Sequence, residues 1–175
     1  MINIVLYEPE IPQNTGNIMR TCVAINAVLH IIKPLGFSLE DKYLKRSHLD
    51  YIDFLKYYVY ENYEDFITKN NNGKFYFLTR YGYNCYTDID YKEEENIYLV
   101  FGKESTGISK DILASNLEHT FRIPTSSNVR SLNLSNCVAL VSYSLLSKAD
   151  FPSLEKYEPE KLKGKDFLKQ FIKNS

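Results

Sequence analysis

The sequence predicts an α/β fold, a mostly parallel sheet with helices on both faces. Three observations predict it. Short apolar runs alternate with segments of helical spacing along the chain. The runs are short and mainly apolar, which is how strands covered on both faces read. Polar clusters follow several of those runs, and in such folds ligands bind at the carboxyl ends of strands.

Taken in order, Asn3–Tyr7 reads as the first strand. Pro12 precedes a helix over Asn14–Ala27, which Asn14 or Thr15 can cap. Val28–Lys33 is a second strand, closed by Pro34 and Gly36. Ser38 with Asp41 resembles a capping box before Tyr43 and Leu44. Lys56–Tyr60 reads as a third strand, and Asn62 with Asp65 as another helix start whose apolar face holds Phe66 and Ile67. Phe75–Thr79 is a fourth strand, and the polar, tyrosine-rich residues 80–96 read as a loop. Ile97–Phe101 is a fifth strand, Ser109–Ser115 a short helix, and His119–Ile123 a sixth strand. A polar loop over 124–132 leads to a long amphipathic helix, Asn133–Ser147. Residues 1–150 read as one domain without internal repeats. Residues 151–175 form a basic tail with Lys161, Lys163, Lys165, Lys169 and Lys173, and an apolar stripe of Phe167, Leu168, Phe171 and Ile172 at helix spacing.

Composition narrows the function classes. A chain of 175 residues suffices for one domain with a sizeable core. The net charge of −1 means that any nucleic-acid surface must be a local basic patch. Cys22, Cys85 and Cys137 are widely spaced, suiting a reducing compartment and packing as small hydrophobes. The N-terminus lacks a charged leader, and no stretch approaches the length of a membrane span, so a cytoplasmic protein is expected. The histidines are isolated, and no spacing resembles a metal site. No nucleophile motif such as GxSxG occurs.

Three clusters stand out. Glu8-Pro9-Glu10-Ile11-Pro12-Gln13-Asn14-Thr15-Gly16-Asn17-Ile18-Met19-Arg20 is a proline-stiffened turn into a helix. A rigid turn with Arg20 on a solvated face explains it, and so does an arginine placed to hold a phosphate bidentately. Phe101-Gly102-Lys103-Glu104-Ser105-Thr106-Gly107 links a strand to a helix and is neither a Walker loop nor GxGxxG. A plain tight turn accounts for it equally well. Arg130-Ser131-Leu132-Asn133-Leu134-Ser135-Asn136 carries more polarity than one helix cap needs, and suits a site at a helix start.

In this order, with Arg122-Ile123-Pro124 between the second and third, the clusters resemble the SPOUT superfamily of RNA methyltransferases. The opening Ile-Val-Leu-Tyr-Glu-Pro-Glu-Ile-Pro-x-Asn-Thr-Gly-Asn-Ile-x-Arg resembles the branch that 2′-O-methylates the wobble nucleotide, position 34, of tRNA. The likeness spans residues 1–148. It implies a C-terminal deep trefoil knot, S-adenosyl-L-methionine as methyl donor, and a homodimer whose sites are completed by the partner chain. By motif, the donor is expected at Leu78, Thr79, Gly102, Ile123, Ser131 and Leu132. The catalytic set implied is Arg20, Asn14, Glu104 and Asn133. A guanidinium stays protonated, so Arg20 is expected to grip a phosphate and orient the hydroxyl rather than act as base. Lys103, Ser105 and Thr106 depart from the Pro and Thr-Arg of the family pattern.

Lys33, Lys42, Lys45, Arg46, Lys103, Arg122 and Arg130 are the candidates for the RNA surface, each readable also as solvated surface charge. Three other functions fit the same residues: a methyltransferase of another RNA such as rRNA, a non-catalytic RNA-binding module, or a methyltransferase of a small molecule. Loss of Arg20 or Asn133 would favour the module, and both are present.

Overall fold

The structure, a computed structural model, describes residues 1–39 and 51–172. Seven strands form one sheet: β1 (Ile2–Tyr7), β2 (Val28–Ile32), β3 (Tyr57–Tyr60), β4 (Lys74–Leu78), β5 (Asn84–Cys85), β6 (Ile97–Phe101) and β7 (Thr120–Arg122). Their order is β3-β2-β1-β6-β4-β7-β5, and every pairing is parallel. The helices are α1 (Pro12–Ala24), α2 (Tyr63–Lys69), α3 (Lys110–Ala114) and α4 (Leu134–Lys148).

Period-two alternation along each strand sorts side chains onto two cores. Ile4 and Leu6 of β1 with Leu29 and Ile31 of β2 pack under α1 and α4, which contribute Ile18, Met19, Cys22, Val138, Val141 and Leu145. Val5, Ile32, Phe77 and Val100 face the other way, toward Phe66 of α2 and Leu113 of α3. Helices therefore cover both faces. Burial pushes the Cys22 thiol up to about 12, so this cysteine is an inert packing group.

Several boundaries differ from the sequence reading. Helix α1 starts at Pro12 with Ile11 as N-cap and no side-chain cap, because proline fills the first helical position without missing its N–H. Asn14 and Thr15 thus lie inside the helix, buried, rather than capping it. The 80–96 segment holds a two-residue strand, β5, which pairs with β7 at the sheet edge and is too short for periodicity to reveal. His119 falls in a 3-10 turn before β7, not in the strand. In the tail, Phe167–Phe171 is a 3-10 turn whose Leu168 and Phe171 are exposed, so the stripe docks on no core. The capping box ending at Asp41 lies outside the described residues.

One polar network is sealed under α2. His30, 3% exposed, bonds Tyr60 Oη through Nδ1 at 2.8 Å and Asn3 Oδ1 through Nε2 at 3.1 Å. Asn70 Nδ2 donates to Tyr60 Oη and to Phe66 O, and Tyr98 Oη donates to Asn70 Oδ1. Each partner is satisfied if Nε2 carries the imidazole proton and Tyr60 donates to Nδ1. Burial holds His30 down at about 4. The unfolded imidazole titrates near 6.5, so between pH 6.5 and 4 the unfolded chain takes up a proton that the folded chain refuses. The stability conferred by neutral His30 is complete above pH 6.5 and drains away as the pH falls toward 4. Urea unfolding should lose about 2 kcal/mol from this group between pH 7 and pH 5. The same measurement on His30→Gln should show a shallower pH dependence over that interval.

Candidate active site

The carboxyl ends of β1, β6, β4 and β7 are neighbours in the sheet, and the loops leaving them enclose a cleft of about 880 Å³. That volume is in the range of small-molecule sites. Its walls come from Tyr7 at the end of β1 with Ile11 and Asn14 beyond it, residues 78–81 at the end of β4, residues 101–110 from the end of β6, and Phe121, Ile123, Thr125 and residues 130–134 from β7 onward. Leu78, Phe101, Ile108, Phe121 and Ile123 supply apolar surface; Thr79, Thr125, Ser131 and Asn133 supply polar groups.

A hydrogen-bonded chain ties three of those loops together. Asn14 Nδ2 donates to Glu104 Oε1 at 2.9 Å, and the backbone N–H of Glu10 donates to Glu104 Oε2 at 2.9 Å. Asn133 Nδ2 donates to Asn14 Oδ1 at 2.9 Å. Asn133 Oδ1 in turn accepts from Ser135 N–H and Oγ, capping α4. Asn133 is therefore a helix cap and a bridge to another loop at once. That double duty explains the surplus of polarity at this helix start.

The Glu8-Pro9-Glu10 segment grips the same loop from outside. Lys103 Nζ pairs with Glu8 Oε2 at 2.6 Å, and Ser105 donates N–H and Oγ to the Glu10 carboxylate at 2.9 and 2.7 Å. The Ser105 hydroxyl, then its N–H, holds the Glu10 carboxyl below its ordinary value, and the Glu8 carboxylate holds the Lys103 ammonium above its own. Desolvation, followed by Glu8, raises the Tyr7 phenol to about 12. The 102–107 loop folds on itself through a Lys103–Gly107 bridge. A Cβ on Gly102 would sit 2.3 Å from the carbonyl carbon of Gly107 and the nitrogen of Ile108, so only glycine fits.

The structure brings together most of the residues singled out in the sequence. Leu78, Thr79, Gly102, Ile123, Ser131 and Leu132 all line the cleft, as do Asn14, Glu104, Asn133, Lys103 and Arg130. Arg20 does not: it is exposed on α1, with its guanidinium carbon 5.6 Å from the centroid of the Tyr51 ring. Arg122 is exposed and donates to the carbonyl of Arg80 at 2.9 Å, bracing the 79–83 turn. Arg46, Lys42 and Lys45 lie outside the described residues. Glu8, Glu10 and Ser105 went unassigned in the sequence reading. Their role depends on two loops 95 residues apart meeting, which no local spacing signals. Among the described residues no His/Cys/Asp/Glu group could hold a metal ion, and no helix is long and apolar enough to cross a membrane.

Comparison with known proteins adds the family. The model of the SpoU rRNA methylase family matches residues 1–143. The chain belongs to the SpoU rRNA methylase family. Its relatives include the tRNA (cytidine(34)-2′-O)-methyltransferase of Escherichia coli strain K12, 41% identical over 87% of this chain and 96% of the relative. A Listeria innocua protein provisionally given the same name is 48% identical over 87% of this chain and 90% of its own length. A solved structure concerned with the 2-OH methylation of C/U34 on tRNA superposes with a TM-score of 0.80 at 34% identity. It covers 86% of this chain and 97% of that one. A solved rRNA methyltransferase of Sinorhizobium meliloti, 23% identical over 84% of this chain and 56% of that one, shares the fold at a TM-score of 0.74. In this SpoU-family chain the three sequence clusters are the three loops that the Glu104–Asn14–Asn133 chain joins.

Asn14 sits at the middle of that chain, so Asn14→Ala strands a Glu104 oxygen and the Asn133 amide together. Urea unfolding should show a loss of roughly 1–3 kcal/mol. The Asn14→Ala, Asn133→Ala double variant should lose less than the sum of the two single losses, because the two residues share one interaction.

Proposed function

We propose that this protein transfers a methyl group from S-adenosyl-L-methionine to the ribose 2′-hydroxyl of the wobble nucleotide, position 34, of tRNA. The observation that carries the reading is the match over most of the chain to relatives named for that activity, together with motif residues that, Arg20 apart, here meet at one cleft. The residues suit the donor. Apolar walls from Leu78, Phe121 and Ile123 match an adenine ring, and the tight turns at Thr79 and Gly102 bring backbone close to it. Thr125 Oγ1 is buried at the cleft with no hydrogen-bond partner among the described residues, a polar atom left for a ligand to satisfy.

Leu78, Thr79, Gly102, Ile123, Ser131 and Leu132 would hold the donor, which when bound supplies an electrophilic methyl on sulfur. Transfer to the ribose 2′-oxygen would leave the neutral thioether S-adenosyl-L-homocysteine in the cleft, and the hydroxyl proton would pass to solvent water. Asn14, Glu104 and Asn133 fix the loops around the reaction zone, so the reacting groups meet in line at little entropic cost. Arg20 grips the phosphate next to the target ribose and orients its hydroxyl. Its place outside its own chain's cleft favours a homodimer in which Arg20 serves the partner's site. Lys103, Arg122 and Arg130, with Arg46, form the RNA-facing surface. A deep trefoil knot in the C-terminal part of the chain belongs to this reading, and a crystallographic trace through 74–148 would test it. The function requires a tRNA-accessible compartment, in keeping with a cytoplasmic enzyme.

Incubation with labelled S-adenosyl-L-methionine and total tRNA from a strain lacking the activity should label a 2′-O-methylated nucleotide at position 34 on nucleoside mapping. Label confined to rRNA would move the reading to another RNA, and no label would end it. Arg20→Lys keeps the charge but loses the fork geometry, so kcat should fall at least about tenfold with donor affinity unchanged. Mixing inactive Arg20→Ala and Asn133→Ala chains should restore turnover if the site is shared between copies; a mixture that stays inactive places Arg20 in its own chain's site.

A further inference from the structure

The rim of the cleft carries a feature that the donor and the catalytic set leave unused. Tyr81 lines the cleft yet is 53% exposed, at the third position of the turn 79–82. That turn is braced more heavily than a short connection requires. Gly82 N–H donates to Thr79 O at 3.1 Å, Thr79 N–H to Phe121 O at 2.9 Å, and Tyr83 N–H to Thr120 O at 3.1 Å. Tyr81 N–H reaches Thr79 Oγ1 at 3.3 Å, and Arg122 clamps the carbonyl of Arg80. A Cβ on Gly82 would fall 2.2 Å from the carbonyl carbon of Phe121, so the turn lies flush against β7. Tyr81 is thus an exposed ring on a rigid mount.

Cations surround it. The Arg80 guanidinium carbon is 4.6 Å and Lys110 Nζ 4.5 Å from the ring centroid, and Arg80 Nη2 donates to the phenol oxygen. The Arg80 hydrogen bond, then the charges of Arg80, Lys110 and Arg130, hold the phenol below its ordinary value. Among the described residues Lys33, Lys69, Lys74, Lys103, Lys156 and Lys169 are each matched with a carboxylate, Lys103 within the same cleft wall, whereas Arg20, Lys56, Lys92, Lys148, Lys161, Lys163 and Lys165 stand apart without one. Arg80, Lys110, Arg122 and Arg130 have no carboxylate partner among the described residues. In a chain of net charge −1, this concentration of unmatched cations at one rim suits a polyanion.

We propose that Tyr81 stacks a nucleobase flanking the methylated nucleotide, while Arg80 and Lys110 take the adjoining phosphates. The proposal rests on the RNA methyltransferase reading above and assigns to that reading a substrate-positioning residue. Stacking of a base on an exposed aromatic ring outweighs an exposed cation–π contact, so an incoming base displaces Lys110 from the ring onto phosphate. A single-stranded loop with unstacked bases is the RNA form that offers both groups together.

The test uses the full-length protein, tRNA methylation kinetics, and an anticodon stem-loop carrying 2-aminopurine beside the target nucleotide. Tyr81→Ala should raise KM for tRNA about tenfold with kcat nearly unchanged, and should abolish the fluorescence quenching of bound 2-aminopurine. Tyr81→Phe should restore both, because the ring and not the hydroxyl does the stacking. Lys110→Gln should lower the log–log salt slope of stem-loop binding by roughly 0.7. Wild-type KM and quenching in Tyr81→Ala, or equal damage from Tyr81→Phe, overturns the proposal while the methyltransferase reading stands. A wild-type protein that methylates no tRNA and binds no stem-loop removes both.

Discussion

Glu104 accepts from the side chain of Asn14 and from the backbone of Glu10, and Asn14 accepts from Asn133. This one chain of bonds joins the loop after β1, the loop after β6 and the start of α4. Each of those segments alone is a short connection whose position the sheet fixes only at one end. Joined, they form a single wall with little freedom relative to the strands. The chain is made of groups that satisfy one another, with Asn14 almost fully buried, so breaking any link leaves polar atoms unpartnered in a confined space. The charged clamp outside it, Lys103 on Glu8 and Ser105 on Glu10, holds the same wall from the solvent side, where each contact is weaker.

The outline of this molecule was legible in its sequence because the strands are buried on both faces. β6 reads as an unbroken apolar run and β1 as one interrupted only by Asn3, and helical spacing is strong in α1 and α4, which share one core with the sheet. The short elements were not legible. β5 has two residues and owes its existence to β7, a segment far along the chain, so no local pattern could announce it. Helix α1 began earlier than side-chain capping suggests, because Pro12 supplied the start without a cap. At the site, the residue types were visible but the pairings were not. Asn14, Glu104 and Asn133 could be named from their motif context, whereas Glu10 and Ser105 acquired meaning only when two distant loops met. Arg20 shows the reverse: its motif placed it with the catalytic set, yet its own chain's cleft does not include it.

The rim of the cleft gathers Arg80, Lys110, Arg122 and Arg130, none paired with a carboxylate among the described residues, although Lys103 in the same wall pairs with Glu8. A whole-chain net charge hides this arrangement entirely, because the acidic surplus elsewhere cancels it. The cleft and the buried polar network occupy different parts of the sheet. The cleft sits at the carboxyl ends of the strands, and the sealed His30–Tyr60–Asn70 network lies under α2 on the face away from α1 and α4. Uncharged and satisfied, that network fixes how β1, β2, β3 and α2 register with one another.

The contact of Gly102 against the Gly107–Ile108 peptide leaves no room to lengthen or shorten the intervening segment. Natural or laboratory diversification there must therefore proceed by exchanging side chains on a backbone of fixed span. Lys103 and Ser105 are held to Glu8 and Glu10, so the exposed Thr106 is the place where a library of variants could retune the rim without unmaking it.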